Sequence, residues 1–246
     1  GKAYGLKVYA IPEAPLSAKG KPIVSLIGME GQEEIAAVTH VREFSAGTFL
    51  CFVTKKGYLK RILVSELANL RSKGVRALSI PDNDELVSVL ETDGKSDIII
   101  ATKHGMCIRV NENEIRVMGR NAYGVKGIRL RTNDEVISCD SIKDGDLIFT
   151  VTERGYGKCT DSKEFRTQSR GGLGVKNVRV SQKNGPVICV KEMNQKDEVI
   201  LITDKGRTIR FKIKDIPVQR RGGIGVKLME VGENERVVGV AKVSEE

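Results

Sequence analysis

The 246-residue sequence lacks the features that mark several classes of protein. It contains no apolar stretch near the ~20 residues that a membrane-spanning helix needs, and its first residues do not read as a signal peptide. Its five cysteines include no Cys-x-x-Cys pair, and four of them lie inside apolar runs. We therefore expect reduced, strand-buried thiols in a cytoplasmic protein that has no membrane segment.

Signatures of catalysis are also scarce. No Gly-x-x-x-x-Gly-Lys-Ser/Thr phosphate loop occurs, and Gly155-Tyr156-Gly157 lies in a predicted hairpin turn instead of a strand–helix junction. One of the two histidines, His104, stands next to a turn glycine, where we expect it to be solvated. No His/Cys cluster has metal-ligand spacing. The sequence therefore predicts no catalytic residue, no metal site and no cofactor.

What the chain does have is a repeat. Glycines recur at positions 20, 74, 124, 174 and 225, at spacings of 54, 50, 50 and 51 residues. A fixed period near 50 indicates a repeat architecture in place of an ordinary mixed domain. We place five repeats within one domain of residues 1–246, at roughly 1–48, 49–97, 98–146, 147–198 and 199–246.

Each repeat has the pattern of four short strands. Two apolar or alternating runs flank a residue–Gly turn, as at Lys56-Gly57 and Lys205-Gly206, which is typical of a β-hairpin. Arg109 and Arg210 take outward places in the alternation of the second strand. A Gly-rich loop, a third strand, a polar turn and a fourth apolar strand follow. Helix signals are nearly absent apart from one or two turns at 64–70, so an all-β, propeller-like ring is predicted.

The first repeat is incomplete. Gly1 corresponds to the hairpin glycine of the other repeats, so the strand that should precede it is missing. The chain also lacks a starting Met. We expect it to be a fragment of a longer protein.

The Gly-rich loops and the charge suggest a long anionic partner. The net charge is +9 and the pI about 9.3, a range in which nucleic acid is the leading partner class. The best loop, Gln219–Lys227, reads Gln-Arg-Arg-Gly-Gly-Ile-Gly-Val-Lys. Glycine amides can approach phosphates closely, and arginine adds bidentate hydrogen bonds. In one isolated loop, the glycines would instead indicate only the geometry of a turn. Three copies favour contacts with a nucleic-acid backbone, with strong salt dependence.

These residues resemble a known family. Residues 219–225 match six of the seven positions of the Gln-Arg-Arg-Gly-Gly-Lys/Arg-Gly box in the C-terminal domain of the bacterial DNA gyrase A subunit, with Ile224 in place of the usual cation. The Thr-x-x-Gly hairpins, the Gly-Val-Lys segments and the run 7–14 resemble the degenerate repeats of the same domain. The resemblance covers essentially the whole chain.

The resemblance implies a fold and a function. The fold would be a β-pinwheel, a propeller-like disc of about five to six four-stranded blades in which neighbouring blades exchange strands. Its basic rim would bend and wrap double-stranded DNA through the phosphate backbone. The domain would not be catalytic itself, but would steer strand passage in ATP-dependent supercoiling. The implied partners are the ATPase B subunit together with the remainder of the A subunit, in the cytoplasm of a bacterium at the nucleoid.

Two alternatives stay open at this point. In gyrase the box lies in the first blade, whereas the best copy here lies in the last repeat, so the chain could be the similar domain of the topoisomerase IV A subunit. That domain would bind DNA for substrate choice in relaxation or decatenation, without chiral wrapping. A propeller that serves only as a protein-interaction module is the more distant alternative.

The predicted DNA-contacting residues are cations and one amide of the loops and their neighbouring strands. They are Lys73, Arg76, Arg109, Arg120, Lys126, Arg129, Arg166, Arg170, Lys176, Arg179, Arg210, Lys212, Gln219, Arg220, Arg221 and Lys227.

Overall fold

The computed structural model describes residues 1–15, 17–29, 33–45, 47–70 and 73–243. The strands are β1 (Lys2–Ala3), β2 (Phe49–Thr54), β3 (Tyr58–Leu63), β4 (Val75–Arg76), β5 (Leu86–Thr92), β6 (Asp97–Thr102), β7 (Met106–Asn111), β8 (Val125–Lys126), β9 (Val136–Ile142), β10 (Leu147–Thr152), β11 (Tyr156–Asp161), β12 (Val175–Lys176), β13 (Val187–Met193), β14 (Glu198–Thr203), β15 (Thr208–Lys212), β16 (Val226–Lys227) and β17 (Val237–Val243).

Helical structure is confined to one short α-helix and five 3-10 turns within these ranges. The helix is α1 (Ile23–Ile27), and the 3-10 turns are Val8–Ala10, Val64–Leu67, Glu112–Glu114, Ser162–Glu164 and Ile213–Asp215. The turn predicted within 64–70 is confirmed, whereas α1 was not predicted. None of the helices in the described ranges is long and apolar enough to cross a membrane.

The strands form blades that exchange a strand with their neighbours. Three four-stranded sheets have the orders β5-β2-β3-β8, β9-β6-β7-β12 and β13-β10-β11-β16. In each, three strands come from one repeat, and the outermost strand, a Val-Lys pair, comes from the next repeat. The last blade, β17-β14-β15, has three strands, and β1 pairs with β4 in a two-stranded sheet. The predicted all-β pinwheel with strand exchange is confirmed.

The order of strands within a blade fixes what lies at the centre and at the rim. The fourth strands of successive repeats, β5, β9, β13 and β17, contact one another and form the inner layer. The exchanged strands β8, β12 and β16 lie at the outer edges. Strand β6 packs Ile98 and Ile100 toward one neighbouring blade and Ile99 toward the other. Because both faces of such a strand are covered, its sequence is a continuous apolar run and not an alternation.

The recurring glycines allow two blades to approach closely. Gly174 has a φ of 72°, and a Cβ there would lie 2.4 Å from the carbonyl oxygen of Cys107 in the preceding blade. Across the same junction, a Cβ at the hairpin Gly105 would lie 2.4 Å from the carbonyl oxygen of Val178. The same close approaches recur at Gly57, Gly124, Gly155 and Gly225. Gly206, in the hairpin of the last blade, has no atom within 4 Å of its Cβ position, since no exchanged strand covers it.

The first repeat differs from the others between residues 4 and 48. Its segment 35–41 corresponds to the innermost strand of the later repeats, yet it belongs to no sheet. Val38 is 77% exposed in this segment. The reason is that the innermost strand pairs with the first strand of its own repeat, and no strand of the described residues provides that pairing to 35–41.

Replacing Gly174 with alanine should destabilise the fold more than the same change at Gly206. Both positions have positive φ, so each change costs about 1 kcal/mol in backbone strain. At Gly174 the added methyl also forces two backbones apart, which should add on the order of 2 kcal/mol. Denaturant unfolding measures both free energies. Equal losses at the two sites would contradict the role of Gly174 in the close approach of the blades.

Candidate DNA-binding interface

Each Gly-rich loop wraps the outer edge of the preceding blade. The backbone N–H of Met118 donates to the carbonyl of Arg61 at 2.9 Å, so the loop of the third repeat runs beside β3 of the second. The N–H of Gln219 donates in the same way to the carbonyl of Cys159 at 2.8 Å. The cations of one repeat therefore lie on the rim of the blade before it.

The loops are also bonded to one another along the rim. The N–H of Gly171 donates to the carbonyl of Gly127 at 2.6 Å, and that of Gly222 donates to the carbonyl of Asn177 at 2.7 Å. These two glycine amides are satisfied within the protein. The hypothesis that such glycine amides approach a phosphate is therefore wrong at these two positions, and the side chains are left as the groups that could bind an anion.

The structure leaves most of the predicted residues accessible. Exposed residues are Lys73, Arg76, Arg129, Arg166, Arg170, Lys176, Arg179, Arg210, Lys212, Arg220 and Lys227. Half-buried side chains are those of Arg120, Lys126, Gln219 and Arg221. All fifteen belong to the loops and strands that border the rim, apart from Arg210 and Lys212, which lie on the uncovered edge strand β15 of the last blade.

Arg109 is the exception, and its predicted outward position is wrong. Its side chain is 9% exposed, and its guanidinium contacts Asp97 at 2.7 Å and Asp144 at 2.8 Å. It also donates to the carbonyl of Phe165 in the next blade. The matching Arg210 is exposed and pairs with Glu198, because no further blade covers β15. The alternation of the strand is the same in both repeats, and the neighbouring blade decides which arginine is buried.

The hairpin turns carry cations that the sequence prediction missed. Lys126 lies beside the hairpin of the preceding blade, with its Nζ 4.3 Å from the Tyr58 ring centre and 3.0 Å from the carbonyl oxygen of Lys56. Lys56 and Arg154, each directly before a hairpin glycine, are exposed and form no ion pair with a described residue. The signal that could have found them is the recurring cation before that glycine.

Carboxylates neutralise only some of the rim cations. Arg120 lies 3.8 Å from Glu66, and Lys227 lies 3.3 Å from Glu230. Within the described residues, no ion pair involves Arg129, Arg166, Arg170, Lys176, Arg179, Lys212 or Arg220. The part of the chain that the structure describes also contains no group of three or more His, Cys, Asp or Glu side chains that could hold a metal ion. The rim thus presents uncompensated positive charge that a polyanion could neutralise.

Comparison with known proteins agrees with this arrangement of blades and loops. The model of the family described as "DNA gyrase C-terminal domain, beta-propeller" matches residues 48–93, 96–143, 146–185 and 197–244. The chain belongs to the DNA gyrase C-terminal domain family. The four matched segments of this gyrase family each begin just before the first strand of a complete hairpin.

Individual relatives cover nearly the whole chain. The DNA gyrase A subunit of Halalkalibacterium halodurans is 51% identical over 99% of it, and that of Clostridium acetobutylicum is 43% identical over 100% of it. The chain spans 29% and 30% of the lengths of these two gyrase subunits. A solved C-terminal domain of DNA topoisomerase IV superposes with a TM-score of 0.87 at 27% identity, over 96% of this chain and 74% of that one.

The burial of Arg109 makes it a stability residue. Changing Arg109→Met leaves the carboxylate of Asp97, whose side chain is 12% exposed, without its cation. Breaking a buried pair in this way should cost about 3 kcal/mol of unfolding free energy. The exposed Arg166→Met should stay within about 0.5 kcal/mol of the unchanged protein. Denaturant unfolding of both variants tests this assignment, and a neutral Arg109→Met would overturn it.

Proposed function

We propose that this chain is the DNA-binding C-terminal domain of a gyrase A subunit, which bends and wraps duplex DNA on its rim and catalyses no reaction itself. The observation that supports this most is the series of hydrogen-bonded loops on successive blades, each presenting cations without a carboxylate partner. Binding of this kind needs no cofactor. The contacts are proposed to be mainly with phosphates, because the cations recur on successive blades as phosphates recur along a duplex.

The repeated loops provide the phosphate contacts that would offset the free energy of bending DNA. Bending a duplex of ~20–30 bp through a large angle costs several kcal/mol. Each lysine or arginine that neutralises a phosphate releases a counterion and offsets part of that cost. A cation set repeated at every blade spreads these contacts along a curved path. The wrapped segment would be presented to the rest of the enzyme with a fixed hand.

Gyrase fits the chain better than topoisomerase IV does. Two gyrase A subunits share 51% and 43% identity with it, while the topoisomerase IV domain of very similar fold shares 27%. In the intact enzyme the proposed partners are the ATPase B subunit together with the remainder of the A subunit. The wrap would direct strand passage toward negative supercoiling of the chromosome in the bacterial cytoplasm.

Reversing three exposed rim charges should remove most of the DNA affinity. The change Arg129→Glu, Arg170→Glu and Arg220→Glu affects three side chains that form no ion pair with a described residue. We expect an affinity loss on the order of a hundredfold at 0.1 M salt, and a salt slope smaller by about 3. Anisotropy of a labelled duplex gives both values.

The matched control reverses three exposed lysines of the turns between the last strand of one repeat and the first strand of the next, with Lys95→Glu, Lys143→Glu and Lys196→Glu. It makes the same change in net charge, so it should reduce affinity far less. Unchanged affinity in the rim variant, or equal losses in both, would sink the proposed interface. A protein-interaction module would give this result.

Wrapping itself can be measured on nicked circular DNA that is sealed by ligase with increasing amounts of the domain. A dose-dependent shift of linking number in one direction is expected, because a wrap of fixed hand stores writhe. Binding without a shift would instead favour the topoisomerase IV type of role. A basic protein of similar charge without the disc provides the control for non-specific compaction.

A further inference from the structure

Two lysines are completely buried beneath the Gly-rich loops, although lysine is almost never fully buried unless it is paired. Lys60 is 0% exposed and Lys158 is 1% exposed. The Nζ of Lys158 donates to the carbonyl oxygens of Asn177 and Arg220, both at 2.9 Å. The Nζ of Lys60 donates to those of Ala77 at 2.7 Å and Arg120 at 2.6 Å. The same contact is therefore built at two junctions.

The contact links segments of two consecutive repeats at the junction between two blades. Asn177 directly follows β12, the exchanged strand of the lysine's own repeat, and Arg220 belongs to the loop of the next repeat. Ala77 and Arg120 hold the corresponding positions around Lys60. All four acceptors are neutral carbonyls, and neither ammonium forms an ion pair with a described residue. The positive charge is thus fixed in place without being neutralised there.

Packing alone does not require lysine at this position. In the third repeat the corresponding residue is Ile108, which is also fully buried. The loop over Ile108 keeps the same path, since the N–H of Gln168 donates to the carbonyl of Arg109 at 2.8 Å. An apolar side chain is therefore compatible with the fold, and the ammonium supplies something that isoleucine does not.

We propose that Lys60 and Lys158 are positioning residues for DNA, each of which holds the leading loop arginine by its backbone and places a desolvated positive charge directly behind the phosphate-binding loop. This inference rests on the proposed DNA-binding function. A charge removed from water acts on a nearby phosphate more strongly than an exposed one at the same distance, because less solvent screens it.

The protonation of these two groups makes the inference testable. Burial lowers the pKa of Lys60 and of Lys158 to about 8. Glu66 faces Lys60 and raises its pKa, while Lys158 is faced by Cys107, by Arg221, which lowers its pKa, and by Glu164, which raises it. Burial raises the pKa of the Cys107 thiol to about 12, so it stays neutral.

Two opposite trends follow between pH 7 and pH 9.5. DNA favours the protonated lysines, so affinity should fall as pH rises through 8. The unfolded chain binds more protons than the folded one in this range, since both folded pKa values are depressed, so the contribution of these lysines to fold stability rises with pH. Loss of affinity at high pH would therefore not reflect unfolding caused by these groups.

The experiment is a duplex-binding titration of the unchanged domain at constant ionic strength from pH 7.0 to 9.5, beside Lys60→Ile, Lys158→Ile and the double variant. Isoleucine copies the third repeat. Each single variant should bind on the order of tenfold more weakly at pH 7.0 and approach the unchanged domain at pH 9.5. The double variant should lose most of the pH dependence. Lys163 is an exposed lysine five residues after Lys158, and Lys163→Ile is therefore the control for the loss of one positive charge.

A flat pH profile of the unchanged domain would overturn the inference, and this measurement needs no variant to fold. Equal effects of Lys158→Ile and Lys163→Ile at pH 7.0, with both variants folded by circular dichroism, would overturn it as well. Failure of the proposed DNA-binding function would give a different result: the charge reversal of Arg129, Arg170 and Arg220 would leave DNA affinity unchanged.

Discussion

The transfer of a two-residue strand from each repeat to the preceding blade is the contact on which the rest of this structure depends. It brings two backbones so close that glycine is required on both sides of the junction, as at Gly105 and Gly174. It carries the Gly-rich loop over the outer edge of the blade, and so places the loop's arginines on the rim. Fold and candidate binding surface therefore follow from one packing arrangement.

This contact also distinguishes two roles of the residues in the Gly-rich loops, backbone packing and positive charge. A glycine followed by cations can indicate either close backbone packing or an anion site. The amides of Gly171 and Gly222 are bonded to the neighbouring segment, so those glycines serve packing. The side chains of Arg170 and Arg220 extend from the same loops into solvent and supply positive charge. The two roles are divided between adjacent residues of the same motif.

Much of this could be predicted from local sequence, and the remainder depended on distant neighbours. The hairpins and the inner strands were predictable because turn glycines and apolar runs report on the residues around them. The partner of Val175-Lys176 was not, since it lies on β7, about 70 residues earlier. Arg109 and Arg210 have the same local pattern and opposite burial, because only the first is covered by a following blade. For the same reason, the local sequence does not distinguish the buried Lys158 from an exposed lysine in an alternating strand.

Cations of the inner strands and cations of the rim differ in their partners. Near the axis, on the inner strands, Lys242 contacts Glu192 at 2.7 Å and Asp197 at 2.9 Å, and Lys191 contacts Asp140 at 3.4 Å. The pairs of Lys242 with Glu192 and of Lys191 with Asp140 join neighbouring blades, and the charges within each pair neutralise each other. At the rim, Arg120 lies 3.8 Å from Glu66, but Arg170 and Arg220 form no ion pair with a described residue. A modest net charge of +9 can then still produce a positive edge, because several of its cations have no carboxylate partner among the described residues. Buried Lys60 and Lys158 lie close behind that edge and donate to neutral carbonyls, so in the proposed role they add to its field.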